Sequence, residues 1–167
     1  MKDGKTVAIV PGSFDPITYG HIDIAKRAAA LYDTVYLAVM INDQKKYTFS
    51  IEERERIAKR ALYGVDNVYV ISSKGMLWQL AKELSADAIV KGYRNQVDYD
   101  YEQKMAQFNA EKNPFAKTVL LEADEKYYCL SSTAVREKIN NNESLEDMLP
   151  QAAINEINEI LSKRKKS

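Results

Sequence analysis

The chain has 167 residues, 46% apolar and 29% charged, with 24 lysines and arginines against 24 aspartates and glutamates, a formal net charge of +0. That balance excludes a broad electrostatic grip on nucleic acid or membrane and leaves room only for a local basic pocket. A single cysteine, Cys129, excludes an internal disulfide and a multi-cysteine metal site, and it fits a reducing, cytoplasmic setting. No apolar run approaches the roughly 20 residues that span a bilayer, and the run in "MKDGKTVAIVPGS" is too short for a signal peptide. The length suits one domain over residues 1–167.

Thr6–Val10 reads as a buried strand ended by Pro11-Gly12. Gly20–Tyr32 follows as a helix with Ile22, Ala25 and Tyr32 on one face, then Val35–Ile41 as an apolar strand covered on both sides. Ser50-Ile51-Glu52-Glu53 has the form of a capping box, opening a helix to about Tyr63. Asn67–Ile71 is a third strand, Leu77–Leu84 a helix, and Ala88–Val90 a short fourth strand running into a "KGYR" loop. A helix from about Val97 to Lys112 stops at Asn113-Pro114, and Thr118–Leu121 is a fifth strand. Ser132–Asn140 and Pro150–Lys163 complete the chain as helices, with a lysine-rich tail read as a solvated end. Strict alternation predicts an α/β fold, a Rossmann-like doubly wound parallel sheet of five strands with C-terminal helices, and the order is 3-2-1-4-5 if the first and fourth strands are neighbours.

Ligands of such sheets bind beyond the carboxyl ends of the strands, where strand order reverses. Two segments there differ from plain connectors. In Pro11–Ile17, Gly12 permits close backbone approach and Ser13 offers a hydroxyl and an N–H. Gly20 and His21, the only histidine, then open a helix whose positive end favours phosphate. An imidazole donating there opposes charge growing on a phosphoryl oxygen. In the second segment, Lys91 and Arg94 supply cations around Gly92. Lys45-Lys46 follows strand two, with Lys46 read as surface. For Ser131-Ser132-Thr133, before Arg136, a phosphate nest and a plain helix cap are both open. The chain lacks a G-x-x-x-x-G-K-[ST] loop, a G-x-G-x-x-G turn, an H-E-x-x-H pair and a G-x-S-x-G elbow. Phosphate-binding groups without an obvious nucleophile fit nucleotidyl transfer by positioning and electrostatics.

"PGSFDPITYGHIDI" resembles the signature of the nucleotidylyltransferase superfamily, [TH]-x-G-H, here Thr18-Tyr19-Gly20-His21, and "LSSTAVRE" resembles its second motif. Adding "KK..FS.EER" over Lys45–Arg54 and "KGYRNQVDYDYEQKMAQFN", nearly the whole chain is similar to the bacterial-type phosphopantetheine adenylyltransferase family. The resemblance implies an enzyme making dephospho-coenzyme A and pyrophosphate from ATP and 4′-phosphopantetheine with Mg2+, typically as a homohexamer. It implies that Ser13 contacts both substrates and that Phe14 joins it on the ATP phosphates. His21 would stabilise the transition state and Lys45 orient the attacking phosphate. Leu77 would line the pantetheine arm and Lys91 the acceptor phosphate. Gly92, Tyr93, Arg94 and Glu102 would hold ATP, with Tyr127, Ser131, Ser132 and Thr133 covering adenine and phosphates. No metal-ligating residue is implied.

The chain departs from the family's R-G-[LV]-R loop at Lys91, which keeps the charge without the planar fork. It also places Asp43 where proline is common. The alternatives are a nucleotidylyltransferase for another acceptor, such as nicotinamide mononucleotide or glycerol phosphate, and a non-catalytic nucleotide-binding module. Relatives of the first kind usually carry histidine where this chain has Thr18.

Overall fold

The computed structural model describes residues 4–166. In chain order the elements are β1 (Val7–Gly12), α1 (Tyr19–Leu31), β2 (Thr34–Met40), α2 (Ile51–Ala61), β3 (Val68–Ser73), α3 (Leu77–Glu83), β4 (Ala88–Tyr93), α4 (Gln96–Lys112) and β5 (Lys117–Glu122). A short 3-10 turn (Glu125–Tyr127), α5 (Ser132–Asn140) and α6 (Gln151–Lys165) follow. The strands form one sheet in the order β3-β2-β1-β4-β5, every neighbouring pair parallel. The Rossmann-like α/β expectation and its strand order hold.

Side chains alternate across the sheet, and both faces are covered. Ala8 and Val10 of β1 and Val35, Leu37 and Val39 of β2 share the larger core with Ala25 and Ala28 of α1, Ile57 of α2 and Ile157 of α6. Ile9, Ala38 and Ile89 point the other way, onto Leu80 and Ala81 of α3 and Ala116. Burial on both faces explains why these strands are apolar throughout instead of alternating with polar residues. Each fully buried isoleucine or leucine contributes about 1.5–3 kcal/mol from area alone.

The capping box before α2 is present: the Glu53 N–H donates to Ser50 Oγ at 3.1 Å, and the Ser50 N–H donates to Glu53 Oε1 at 2.9 Å. Pro150 stands at the cap of α6, one position before the first turn. The main revision concerns the fourth strand. It does not end at Val90: Lys91, Gly92 and Tyr93 continue the ladder to β5, opposite Leu120, Leu121 and Glu122. Gly92 and two polar neighbours end the apolar run without ending the strand, because the backbone pairing is indifferent to them. Only Arg94 and Asn95 form the link to α4.

The middle of the sheet determines where a ligand can enter. β1 pairs with β2 as far as Gly12, and β4 with β5 as far as Tyr93. Between β1 and β4 the register is carried by Ala8–Ala88 and Ile9–Ile89 alone. Beyond those pairs each strand stays with its outer neighbour, and a crevice opens between their carboxyl ends, at the point where chain order reverses.

Candidate active site

A cavity of about 590 Å³ fills that crevice. Its floor is Val10 and Val90, and its walls come from the β1–α1 turn, the end of β4, the start of α4 and the approach to α5. Of the residues singled out from sequence, Ser13, Phe14, His21, Lys45, Lys91, Gly92, Arg94, Glu102, Tyr127, Ser131 and Ser132 line it. Three do not. Leu77 packs against the smaller core, the Tyr93 ring meets Tyr99 edge-on at 5.0 Å, and Thr133 Oγ1 accepts a bond from Arg136 Nη2 at 2.9 Å.

His21 is the third residue of α1, and Thr18 is its N-cap. The Thr18 N–H donates to His21 Nδ1 at 3.0 Å, while the His21 N–H reaches Thr18 Oγ1 at 3.5 Å. Histidine thus takes the place of the usual Glu or Gln in a reciprocal cap. The Phe14 ring meets the imidazole edge-on at 5.0 Å. Burial, and then the positive charges of Arg94 and Lys91, lower the His21 pKa from 6.5 to about 4. At neutral pH the ring is uncharged, with Nδ1 an acceptor and the proton on Nε2.

The turn carrying Ser13 is held from several sides. Phe14 lies in the left-handed region at φ 47, which costs on the order of 1 kcal/mol for a residue with a Cβ. The Arg54 guanidinium donates to the Ser13 carbonyl at 2.7 Å, and Arg136 donates to the Asp15 carbonyl at 2.9 Å. The buried Asp15 carboxylate accepts the N–H groups of Thr48 and Phe49, both at 2.9 Å. Those last bonds tie the turn to the segment that follows Lys45. Lys45 itself is exposed and lines the cavity, whereas Asp43 is exposed and does not.

The two cations at the end of β4 have carboxylate partners. Lys91 Nζ lies 3.2 Å from Glu102 Oε2, and Arg94 Nε donates to Asp98 Oδ2 at 3.2 Å. Both acids project from the first turns of α4, so that helix pairs both cations at the end of β4. Ser131 caps α5 by accepting from the Ala134 N–H at 3.0 Å, and the Ser132 hydroxyl donates to the Pro16 carbonyl at 2.8 Å. The helix-cap reading of this motif therefore holds for Ser131.

Sequence reasoning passed over Ile24, Val97, Asp98, Tyr101 and Leu130, which also line the cavity, as does Thr18 of the [TH]-x-G-H motif. Val97 and Tyr101 stand four residues apart on α4, the spacing that puts side chains on one face. That spacing was a usable signal once the start of α4 was placed against the crevice.

A glycine-bearing turn, a helix-opening histidine and cations gathered at the switch point of a parallel sheet define a nucleotidyltransferase. Residues 9–138 match the Cytidylyltransferase-like family, and the chain belongs to it. The chain is 41% identical to the phosphopantetheine adenylyltransferase of Caldanaerobacter subterraneus subsp. tengcongensis over 157 residues, covering 94% of this chain and 98% of the relative. It is 40% identical to that of Clostridium novyi over 151 residues, covering 90% and 94%, and 39% identical to that of Streptococcus pyogenes serotype M2 over 158 residues, covering 94% and 97%.

Proposed function

We propose that this protein transfers the adenylyl group of ATP to the phosphate of 4′-phosphopantetheine, giving dephospho-coenzyme A and pyrophosphate. The observation that carries the reading is one cavity holding a neutral imidazole, Lys45, Lys91 and Arg94 together. The names and near full-length coverage of its relatives supply the acceptor.

An acceptor phosphate oxygen attacks the α-phosphorus in line with the bond to the β-phosphate. A new P–O bond forms, the α–β bridging bond breaks, and its electron pair leaves on pyrophosphate. No residue becomes covalently attached. His21 donates from Nε2 to an α-phosphate oxygen as charge accumulates there, and it needs no proton from solvent to do so. Arg94 and Lys91 exchange their carboxylate partners for phosphate oxygens. Lys45, from the segment after β2, orients the attacking phosphate. Ser13 and the N–H groups of its turn hold phosphate at the start of α1. Positioning and fixed charge do the chemistry, as expected for phosphoryl-type transfer.

Among the described residues, no three His, Cys, Asp or Glu side chains gather as a metal cage. Asp98 and Glu102, the acids of the cavity, are already paired with Arg94 and Lys91. The described residues do not fit a resident cation; in this reading a divalent ion, Mg2+, enters with the nucleotide as part of the substrate.

The reading takes the whole chain as one domain working in the cytoplasm; among the described residues no helix is long and apolar enough to cross a membrane. It also takes the chain as a homo-oligomer, a hexamer by its resemblance to the family. Exposed Met105 and Phe108 on α4 and Phe115 just beyond it support self-association. Sedimentation tests the stoichiometry. Pyrophosphate release measured with ATP and a panel of acceptors tests the reaction. Turnover with phosphopantetheine well above that with nicotinamide mononucleotide or glycerol phosphate supports the assignment. Turnover favouring another acceptor moves it to a sister activity, and no turnover with any leaves a nucleotide-binding module.

A further inference from the structure

We infer that Tyr47 and Arg54 act as a latch that positions Ser13 and Lys45 for the phosphate acceptor. The proposal deepens the reading above and rests on it for the identity of the acceptor. Neither side chain lines the cavity. Both act on residues that do.

Arg54 is among the largest fully buried side chains, at 1% exposure, and an arginine in such a place needs its donors satisfied. It meets carbonyls from three separate segments: Phe49 at 3.1 Å through Nε, and Ser13 at 2.7 Å and Met40 at 3.0 Å through Nη1. Met40 ends β2, Ser13 follows β1, and Phe49 precedes α2. One planar group thus fixes the spacing between the phosphate turn and both ends of the loop that carries Lys45. A lysine has a single nitrogen and could not span this arrangement.

Tyr47 closes the same loop from above. Its ring stacks on the Arg54 guanidinium, with the central carbon 3.9 Å from the ring centroid. Its phenolic oxygen accepts the Asn42 N–H at 2.7 Å. The phenol's own proton can then go to Ser13 Oγ or to the Asn42 carbonyl, each at 3.4 Å. When it goes to Ser13, the serine oxygen is occupied as an acceptor and the serine proton is left for a phosphate oxygen in the cavity. The Lys45 N–H, donating to the Asn42 carbonyl at 2.9 Å, completes a turn closed between Asn42 and Tyr47 with Lys45 at its crest. Without the phenol oxygen, the Asn42 N–H has no partner in this structure and Lys45 rides on an unanchored turn. The nucleotide shares Ser13 with the acceptor, but its other contacts, at Gly92, Arg94 and His21, come from other segments, and the acceptor alone also loses Lys45.

The test is Tyr47→Phe, which keeps the ring on Arg54 and removes only the hydroxyl. Two readouts are taken on the full-length protein: amide hydrogen exchange over residues 42–49, and KM for phosphopantetheine and for ATP. The inference expects exchange at Asn42 and Lys45 to quicken at least tenfold while α1 and the sheet are unchanged. It expects the acceptor KM to rise about five- to tenfold with the ATP KM within twofold of wild type. Unchanged exchange overturns it. Quickened exchange with an unchanged acceptor KM, or with both KM values rising together, overturns it as well. Arg54→Lys should reproduce the same asymmetry more severely if it folds; Tyr47→Phe decides the matter if it does not. A wild-type protein that ignores phosphopantetheine would sink the acceptor assignment instead, and the latch is then decided by the exchange data together with inorganic phosphate affinity, expected to weaken in the variant and to overturn the latch if unchanged.

Discussion

The Thr18 backbone N–H donates to His21 Nδ1 at 3.0 Å, and this one bond fixes which nitrogen of the chain's only imidazole faces the reaction. Because the donor is a main-chain group at the cap of α1, the tautomer is built into the start of the helix. Burial and the cations at the end of β4 then keep that ring uncharged.

His21 being the sole histidine, its ring signals in an NMR titration need no assignment. They should move with a pKa of about 4, and nitrogen shifts should place the proton on Nε2 above it. Arg94→Met should raise that value, since it removes the larger of the two charge contributions. The linked effect on stability follows in sign. The unfolded chain takes up this proton near pH 6.5 and the folded chain near 4, so stability falls as pH drops through that interval. His21→Asn should flatten that part of the stability profile. A titration near 6.5 would contradict the account of the site.

Replacing His21 by alanine removes a donor that matters most when charge develops at the α-phosphate. Turnover should fall on the order of 100- to 1,000-fold, with ATP affinity changed little. Single-turnover kinetics and nucleotide titration separate the two quantities. Equal losses in both would make His21 a nucleotide-positioning group only.

Lys91 shares its charge with Glu102 at 3.2 Å. An arginine there could face the carboxylate and a phosphate at once through its planar fork. Lys91→Arg should therefore lower the KM for the phosphate-bearing acceptor by a few fold. Weaker or unchanged acceptor binding would argue that Lys91 serves a different ligand group.

A methyl group added at Gly12 would sit 2.9 Å from Phe14 Cζ, too close for the ring to stay in place. Phe14 packs edge-on against His21, so Gly12→Ala should shift the His21 ring signals and cut turnover at least tenfold. Thermal melting should show a loss of about 1–3 kcal/mol, typical of overpacking. Unperturbed His21 resonances would break the proposed chain from glycine to imidazole.

The alternation of apolar runs with amphipathic stretches was enough to read a parallel sheet covered on both faces, while its order, 3-2-1-4-5, followed only on taking the first and fourth strands as neighbours. The site residues on turns were also legible, since Gly12, Gly20 and His21 stand where strand one passes into a helix. What escaped has physical causes. The end of β4 looked like a loop because Lys91 and Gly92 face a cavity, which imposes no apolar pattern, and Tyr93 turns to Tyr99 instead. Val97 and Tyr101 were hidden because α4 carries apolar residues on more than one side. Arg54 entered only as the end of the "KK..FS.EER" segment, and only the fold shows it turned inward onto three carbonyls. The carboxylate partners of Lys91 and Arg94 depend on how α4 crosses the end of β4, which spacing alone does not encode.

The most direct test follows label from ATP. With the α-phosphorus labelled and phosphopantetheine present, the label should appear in a product with the mass of dephospho-coenzyme A, while label on the γ-phosphorus appears in pyrophosphate. Label transferred from the γ-position to the acceptor, or α-label released only as free nucleotide, would contradict cleavage between the first and second phosphates.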